Sequence, residues 1–378
     1  MTSMSTPSYS PGLAGVIAGE SAICWVDPNA GLLYRGYDIH ELAGHSSFEQ
    51  VAWLLLHGEL PSREELDGFR HRLSMERDLP PPVLAMLRSL PPDTHPMDAL
   101  RTGVSMLSAF DPDLNDPSHE ANLRKAARVI AKVSTIITSG WRACRGLDPV
   151  PPKLNTRHAA NFLLTLTGEP PDAEHAGILD VVLVLYADHE FNASTFSARV
   201  TASTMSDLYA AITTGIATLK GPLHGGANEE SMHVLEEIGA AANAEDWVKE
   251  RLARKEKIMG FGHRVYKTGD SRVPVMRELG RRLESRSGGP RLIPICEKLE
   301  EVMQREKNLC ANVDLYAAVV LRLLGIPAAL NPSIFALSRV AGWCAHIIEQ
   351  QDHNRLIRPR SLYVGVPRRS TMPVHAAA

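Results

Sequence analysis

From Ser46 to about Gln350 the apolar residues of this chain recur at the spacing of a helix. Phe48, Val51, Ala52, Leu55 and Leu56 follow the i, i+3, i+4 pattern, and Gly58 and Pro61 end that segment. Similar amphipathic runs follow one another, punctuated by Pro80-Pro81-Pro82, Pro91-Pro92, Pro149 to Pro152, Pro170-Pro171, Gly288-Gly289-Pro290 and Gly325-Ile326-Pro327. There is no internal repeat and no sustained heptad. The pattern predicts an all-α fold of about fourteen helices, which can bury their apolar faces only against one another. One stretch departs from it. Residues 13–35 hold short β-branched apolar runs broken by Asp27-Pro28-Asn29 and Gly31, which predicts a short N-terminal β-meander. The Ser/Thr/Pro-rich first ten residues are expected to fray.

A chain of 378 residues can build a large core and two domains. Gly225-Gly226 and Gly325-Ile326-Pro327 are the candidate hinges. They divide the chain into a large helical domain, 1–225 with 328–378, and a smaller inserted helical domain, 226–327. A cleft between two such domains is a natural ligand site.

A formal charge of −3 argues against a general nucleic-acid binder. The five cysteines (Cys24, Cys144, Cys296, Cys310 and Cys344) are scattered and contain no Cys-x-x-Cys pair, as expected of reduced thiols in a cytoplasmic protein. The first basic residue is Arg35, so the N-terminus reads as neither a secretory signal nor a transit peptide. The longest apolar stretch, Ile178 to Ala187, is short and contains Asp180, so no membrane span is expected.

Three motifs carry chemistry: Gly-Pro-Leu-His-Gly-Gly-Ala-Asn around His224, Gly-Phe-Gly-His-Arg-Val-Tyr-Lys around His263, and Asn-Val-Asp-Leu-Tyr around Asp314. Glycine beside a polar side chain permits unusual backbone shapes and close approach of a ligand. Each motif also has a plainer reading. Asp314 opens a predicted helix that Asn312 can cap, and first-turn carboxylates are routine. His224 can be a simple turn histidine, or a neutral donor held at a helix N-terminus whose dipole disfavours imidazolium. Around His263, a dinucleotide fingerprint fails at Val265, and a phosphate-binding loop fails because no glycine precedes Lys267-Thr268. His189-Glu190 begins like a zinc-protease helix, but the second histidine would fall at Ala193, so no metal site is expected. Residues 249–267 carry seven basic side chains, Arg254, Lys255, Lys257 and Lys267 among them, against Glu250 and Glu256. Such a run is either a solvated helix face or a phosphate-binding patch.

Taken together, one carboxylate and two neutral donors fit carbon–carbon condensation through an enol. An ordinary carboxylate, with pKa about 4, is too weak to take a carbon-bound proton unaided. A donor aimed at the forming enolate contributes ~3–4 kcal/mol in a dry site. Asp314 as base, His224 as enolate donor and His263 as donor to the second carbonyl meet that need. A glycosidase would want paired carboxylates, and no Gly-x-Ser-x-Gly elbow suggests a serine hydrolase.

From about Gly12 through Gly365 the sequence closely resembles the citrate synthases, including the similar 2-methylcitrate synthases. The resemblance is carried by the three motifs and by Tyr34-Arg35-Gly36-Tyr37-Asp38-Ile39, Asp188-His189-Glu190-Phe191-Asn192-Ala193-Ser194-Thr195-Phe196, Ser338-Arg339-Val340-Ala341-Gly342-Trp343 and Arg358-Pro359-Arg360-Ser361. It implies that Asp314 deprotonates the methyl of acetyl-CoA, His224 holds the enol through the thioester oxygen, and His263 polarises the keto group of oxaloacetate. It implies that His189, Arg272, Arg339 and Arg358 bind oxaloacetate, with Arg358 reaching across from the partner of a homodimer. A planar guanidinium fork suits a carboxylate. Acyl-CoA then enters as co-substrate, and no permanently bound cofactor is implied. The sequence departs from the family pattern at Gly269, Ser271 and Ala311, where an aromatic, a proline and a proline are usual; these changes are expected to loosen the adjoining loops. A non-catalytic sensor of CoA and oxaloacetate is the alternative of a different class, and the intact set His189, His224, His263 and Asp314 speaks against it.

Overall fold

The computed structural model describes residues 9–27, 31–263, 265–289 and 291–369. Residues 1–8, expected to fray, and residues 28–30, 264, 290 and 370–378 therefore lie outside the described residues.

The meander forms, but later in the chain than its composition suggests. Strands β1 (Cys24–Asp27), β2 (Gly31–Tyr34) and β3 (Tyr37–Asp38) pair antiparallel in sequence order, with Cys24 opposite Tyr34 and Tyr34 opposite Tyr37. The β2–β3 turn is Arg35-Gly36, both at positive φ (50° and 89°), the backbone that a two-residue hairpin of matching twist requires. The apolar residues further upstream find no partner strand, and Ile17 stays 91% exposed.

Sixteen α-helices follow among the described residues, rather than about fourteen. They are α1 (Ile39–His45), α2 (Phe48–His57), α3 (Arg63–Met75), α4 (Pro81–Arg88), α5 (Pro96–Leu107), α6 (His119–Ala143), α7 (His158–Thr167) and α8 (Ala173–Tyr186). The second half comprises α9 (Ala193–Ser203), α10 (Leu208–Leu219), α11 (Gly226–Ile238), α12 (Ala244–Ala253), α13 (Val273–Ser287), α14 (Ile293–Lys307), α15 (Val313–Leu323) and α16 (Asn331–Asp352). Helix α1 precedes the expected helical onset at Ser46. It is only seven residues long, too short to show a period, and Asp38 both ends β3 and caps it by accepting the His40 N–H. Reciprocal capping boxes start α2 (Ser47 with Gln50) and α3 (Ser62 with Glu65), and Gly58 closes α2 in the left-handed conformation.

Helix α16 is the hub. Only Glu349, Gln351 and Asp352 escape full burial along it, and α2, α5, α6, α8, α9, α10 and α11 pack around it. A helix apolar on all sides must be covered on all sides. Gly215 on α10 allows the approach, since a Cβ there would stand 3.1 Å from the buried Trp343 ring. Truncating a tryptophan so placed costs on the order of 3–5 kcal/mol. Helix α15 packs against α11, α13 and α14, with α12 lying on α14. Among the described residues, no helix is long and apolar enough to cross a membrane.

Candidate active site

His189 lies in the link between α8 and α9 and not on a helix as its His-Glu pair suggests. Buried groups shape that link. Tyr34 Oη donates to the Asp188 carbonyl (2.9 Å), Asp188 Oδ1 accepts the Glu190 N–H (2.9 Å), and Asn192 caps α9 through the Thr195 N–H (3.1 Å). Glu190 is held at φ 54°, a strained conformation for a side chain of its size.

His224 sits in the α10–α11 turn. A Cβ on Gly225 would fall 2.5 Å from the Leu219 carbonyl oxygen, so the turn admits only glycine there. Helix α11 begins at Gly226, two residues before the expected Asn228. His224 Nε2 lies 2.8 Å from Ser194 Oγ, which also accepts the Trp343 indole N–H (3.3 Å) and lies 2.8 Å from Asn192 Oδ1. Ser194 has one hydroxyl proton for two neighbours. Turned toward His224, it leaves the imidazole proton on Nδ1; turned toward Asn192, it lets Nε2 donate.

The His263 loop is lashed to the start of α15. Phe261 bridges Ala311, Gly262 N–H donates to Cys310 O (2.9 Å), Asn312 N–H to Gly260 O (2.9 Å), and Asn312 Nδ2 to Gly262 O (3.0 Å). Gly260, at φ 85°, lies so near α15 that a Cβ would meet Leu315 Cβ at 3.0 Å. His263 Nδ1 accepts the N–H groups of Val265 and Tyr266, both at 3.1 Å. The neutral ring therefore carries its proton on Nε2, as a donor. Asn312 caps Asp314 from its Oδ1 (3.1 Å), while Asn228 Nδ2 reaches both the Asp314 carboxylate (3.4 Å) and Tyr186 Oη (2.9 Å).

Arg272, the buried N-cap residue just before α13, is held bidentately by Asp270 at 2.9 and 2.8 Å. Asp270 Oδ2 also accepts the Val313 N–H (3.1 Å), so one carboxylate ties Arg272 to the helix bearing Asp314. The unusual Ser271 has a hydrogen-bond partner: its Oγ lies 3.2 Å from Tyr266 Oη, which in turn lies 3.3 Å from His189 Nε2. Arg339, on α16, is 1% exposed. Its Nε donates to the Tyr186 carbonyl (2.8 Å), its guanidinium lies 4.5 Å from the Phe335 ring centre, and its Nη2 has no partner among the described residues. Aromatic contacts knit the cluster: His189 and His263 are 5.1 Å apart between ring centres, Tyr186 and Phe335 4.5 Å, His224 and Phe335 6.4 Å.

Burial sets the protonation states. It pushes His224 and His263 down to about 4, aided by Arg339 and Arg272 respectively, and holds His189 well below the usual imidazole range. It raises Asp314 to about 6, against the opposing pull of Arg272 and the Asn228 hydrogen bond. At neutral pH the cluster thus presents three neutral imidazoles and a carboxylate more basic than an ordinary one.

The remaining sequence-derived candidates lie outside this cluster. Arg358 is exposed in the segment after α16. Arg254, Lys255, Lys257 and Lys267 are exposed, and the local positive charge is partly answered: Lys249 pairs with Glu245, Arg251 with Glu237 and Glu256, and Arg254 with Glu250. Sequence reasoning missed Tyr266, Asn228 and Ser194, although all three stand inside the quoted motifs, and it missed Tyr186 and Phe335, which carry no local signal.

The description "Citrate synthase, C-terminal domain" fits residues 12–360 of the chain. The chain belongs to the citrate synthase family. Citrate synthase 2 of Bacillus subtilis is 44% identical over 368 residues, 97% of this chain and 99% of that protein. The 2-methylcitrate synthase of Mycobacterium tuberculosis H37Rv is 46% identical over 360 residues, 95% of this chain and 91% of that one. Among solved structures, the Thermoplasma acidophilum citrate synthase in ternary complex with carboxymethyl coenzyme A and oxaloacetate superimposes with a TM-score of 0.93 at 32% identity, covering 98% of this chain and 99% of that chain. This family kinship and the fold agree with the all-α expectation.

Proposed function

We propose that this member of the citrate synthase family condenses acetyl-CoA with oxaloacetate and hydrolyses the resulting citryl-CoA to citrate and CoA. The observation that carries the reading is a half-buried carboxylate whose pKa is raised by desolvation, Asp314, in one cluster with three neutral imidazoles and an arginine whose Nη2 is unpartnered. Asp314 takes a proton from the acetyl methyl. The thioester oxygen, as it gains negative charge, is held by an N–H of His224. The enol carbon then attacks the keto carbon of oxaloacetate, whose oxygen receives the Nε2 proton of His263. Water completes the reaction by cleaving the thioester. Aimed donors of this kind contribute ~3–4 kcal/mol each, and the base about 10²- to 10⁴-fold in rate.

In this reading His189, Arg272 and Arg339 hold oxaloacetate, and Arg358 reaches it from the second subunit of a homodimer. The exposed basic side chains Arg254, Lys255, Lys257 and Lys267 receive the phosphates of CoA. Residues 226–327 close over the bound substrates about Gly225-Gly226 and Gly325, keeping water from the enol. Gly325, at φ 76°, supplies a backbone conformation that other residues resist.

A second reading, 2-methylcitrate synthesis from propionyl-CoA, is favoured by the 46% identity to a protein of that name. The two substrates differ by one methylene, worth only about 1–3 kcal/mol in an apolar pocket. Release of free CoA thiol, dependent on oxaloacetate and measured with acetyl-CoA and propionyl-CoA side by side, separates them. Preference for acetyl-CoA is the expected result. Preference for propionyl-CoA moves the enzyme to the second reading, and no release with either from folded protein leaves a sensor of CoA and oxaloacetate.

A further inference from the structure

Next to the cluster lies a second set of buried charges that the mechanism above does not use. Arg339, Gly342 and His346 stand at i, i+3 and i+7 on one face of α16, and Asp188 rests on that face between the two polar residues. The seat is a glycine: a Cβ on Gly342 would come within 2.3 Å of both Asp188 Oδ2 and the Ala187 carbonyl. Asp188 and His346 are both 0% exposed. His346 Nε2 lies 3.3 Å from either carboxylate oxygen of Asp188.

The tautomer of His346 follows from its other neighbour. Arg199 Nη1 lies 3.0 Å from His346 Nδ1, and a guanidinium can only donate, so Nδ1 must be the acceptor. With Nδ1 accepting, the ring proton stands on Nε2, 3.3 Å from Asp188. Arg199 is itself anchored by Glu349 (2.6 Å), whose other oxygen accepts the Ala22 N–H (2.8 Å). The chain Glu349–Arg199–His346–Asp188 runs unbroken to the residue preceding His189.

At its end two buried polar atoms are left unpaired. Asp188 Oδ2 and Arg339 Nη2 are both buried without hydrogen-bond partners among the described residues. A buried arginine needs a countercharge. A carboxylate free to turn would normally take the bidentate fork geometry, as Asp270 does with Arg272. Here Asp188 is held by the Glu190 N–H and the His346 ring instead.

We propose that Asp188 and His346 are positioning residues for the oxaloacetate clamp: His346 holds the Asp188 carboxylate off the Arg339 fork, so that Arg339 keeps a countercharge while its Nη2 stays unpaired until a substrate carboxylate engages the fork. The proposal rests on the assignment of Arg339 as an oxaloacetate ligand. Without the His346 donor, Asp188 turns onto Arg339 and competes with the substrate.

The test is His346→Leu beside His346→Gln, which can return a donor near the Nε2 position. Oxaloacetate and acetyl-CoA kinetics are measured on the full-length enzyme. The expected result is an oxaloacetate KM raised about tenfold in the Leu variant, as for loss of one charge-assisted contact, with kcat and the acetyl-CoA KM within about threefold and partial recovery in the Gln variant. Arg199 retains Glu349 and the His346 carbonyl (3.3 Å) in either variant. Should the Leu variant be insoluble, His346→Asn, too short to reach Asp188, carries the same expectation. An unchanged oxaloacetate KM, or equal losses in both substrates, overturns the proposal. Arg339→Gln is the control: if it too leaves the oxaloacetate KM unchanged, the clamp assignment has failed and not the relay.

Discussion

Replacing Asp314, the proposed base, should make the protein more stable. Burial lifts the Asp314 carboxyl from 3.8 to about 6, so the charged form that the proposed mechanism uses is disfavoured by the fold. Two pKa units correspond to about 3 kcal/mol. The sign follows from the direction of the shift. With the folded pKa above the unfolded one, the penalty is absent below pH 3.8 and reaches its full size once the pH passes above about 6. Asp314→Asn removes the charge and keeps the shape. It should therefore gain about 3 kcal/mol at pH 8 and roughly half that at pH 5. For a chain of 378 residues the pH 8 gain corresponds to about 3–4 °C in Tm. Thermal unfolding of wild type and variant at the two pH values reads the gain directly. CoA-thiol release from the same preparations should fall by about 10²- to 10⁴-fold. A variant less stable than wild type at pH 8, or stabilised equally at both pH values, would refute the electrostatic argument. Undiminished turnover would refute the assignment of the base.

Other consequences can be checked separately. The acid limb of kcat/KM should follow one ionisation near 6, leaving about a tenth of plateau activity at pH 5, because His224 and His263 stay neutral down to about 4. A limb that shifts strongly with temperature, as imidazole ionisation does and carboxyl ionisation does not, would assign it to a histidine instead. Arg358→Ala should raise the oxaloacetate KM about tenfold or more while light scattering still reports a dimer; unchanged affinity would remove Arg358 from the site. The acetyl-CoA KM should rise several-fold between about 0.05 and 0.5 M KCl, and a flat response would mark residues 249–267 as a solvated face.

Much of the site was legible because its chemistry is carried by short motifs. Gly225 announces a turn that no Cβ can enter, and Gly260 a backbone lying against Leu315, so the glycines beside His224 and His263 signal close packing before any fold is known. Asn312 reads as a cap, and it is one. Illegible were the residues that act from a distance. Phe335 touches Tyr186, His224 and Arg339, and Tyr186 looks like any apolar helix residue. The placement of His189 was misread because a His-Glu pair looks the same in a helix and in a link. The short helix α1 leaves no periodic signal, because seven residues cannot establish a period.

Fold class belongs to the sequence alone. A 3.6-residue apolar period and the caps that end it are local properties, acting over a turn or two of chain, and no other class of fold would bury these faces. The acid/base inventory is likewise sequential. Protonation and aim are not. The proton of His263 stands on Nε2 because the backbone beyond it folds back to donate twice, and Asp314 is a stronger base because its packed surroundings desolvate it. The link bearing His189 takes its shape from Tyr34, more than 150 residues earlier. Desolvation and hydrogen-bond direction depend on what surrounds a group in space, and only the packed tertiary structure brings those neighbours together.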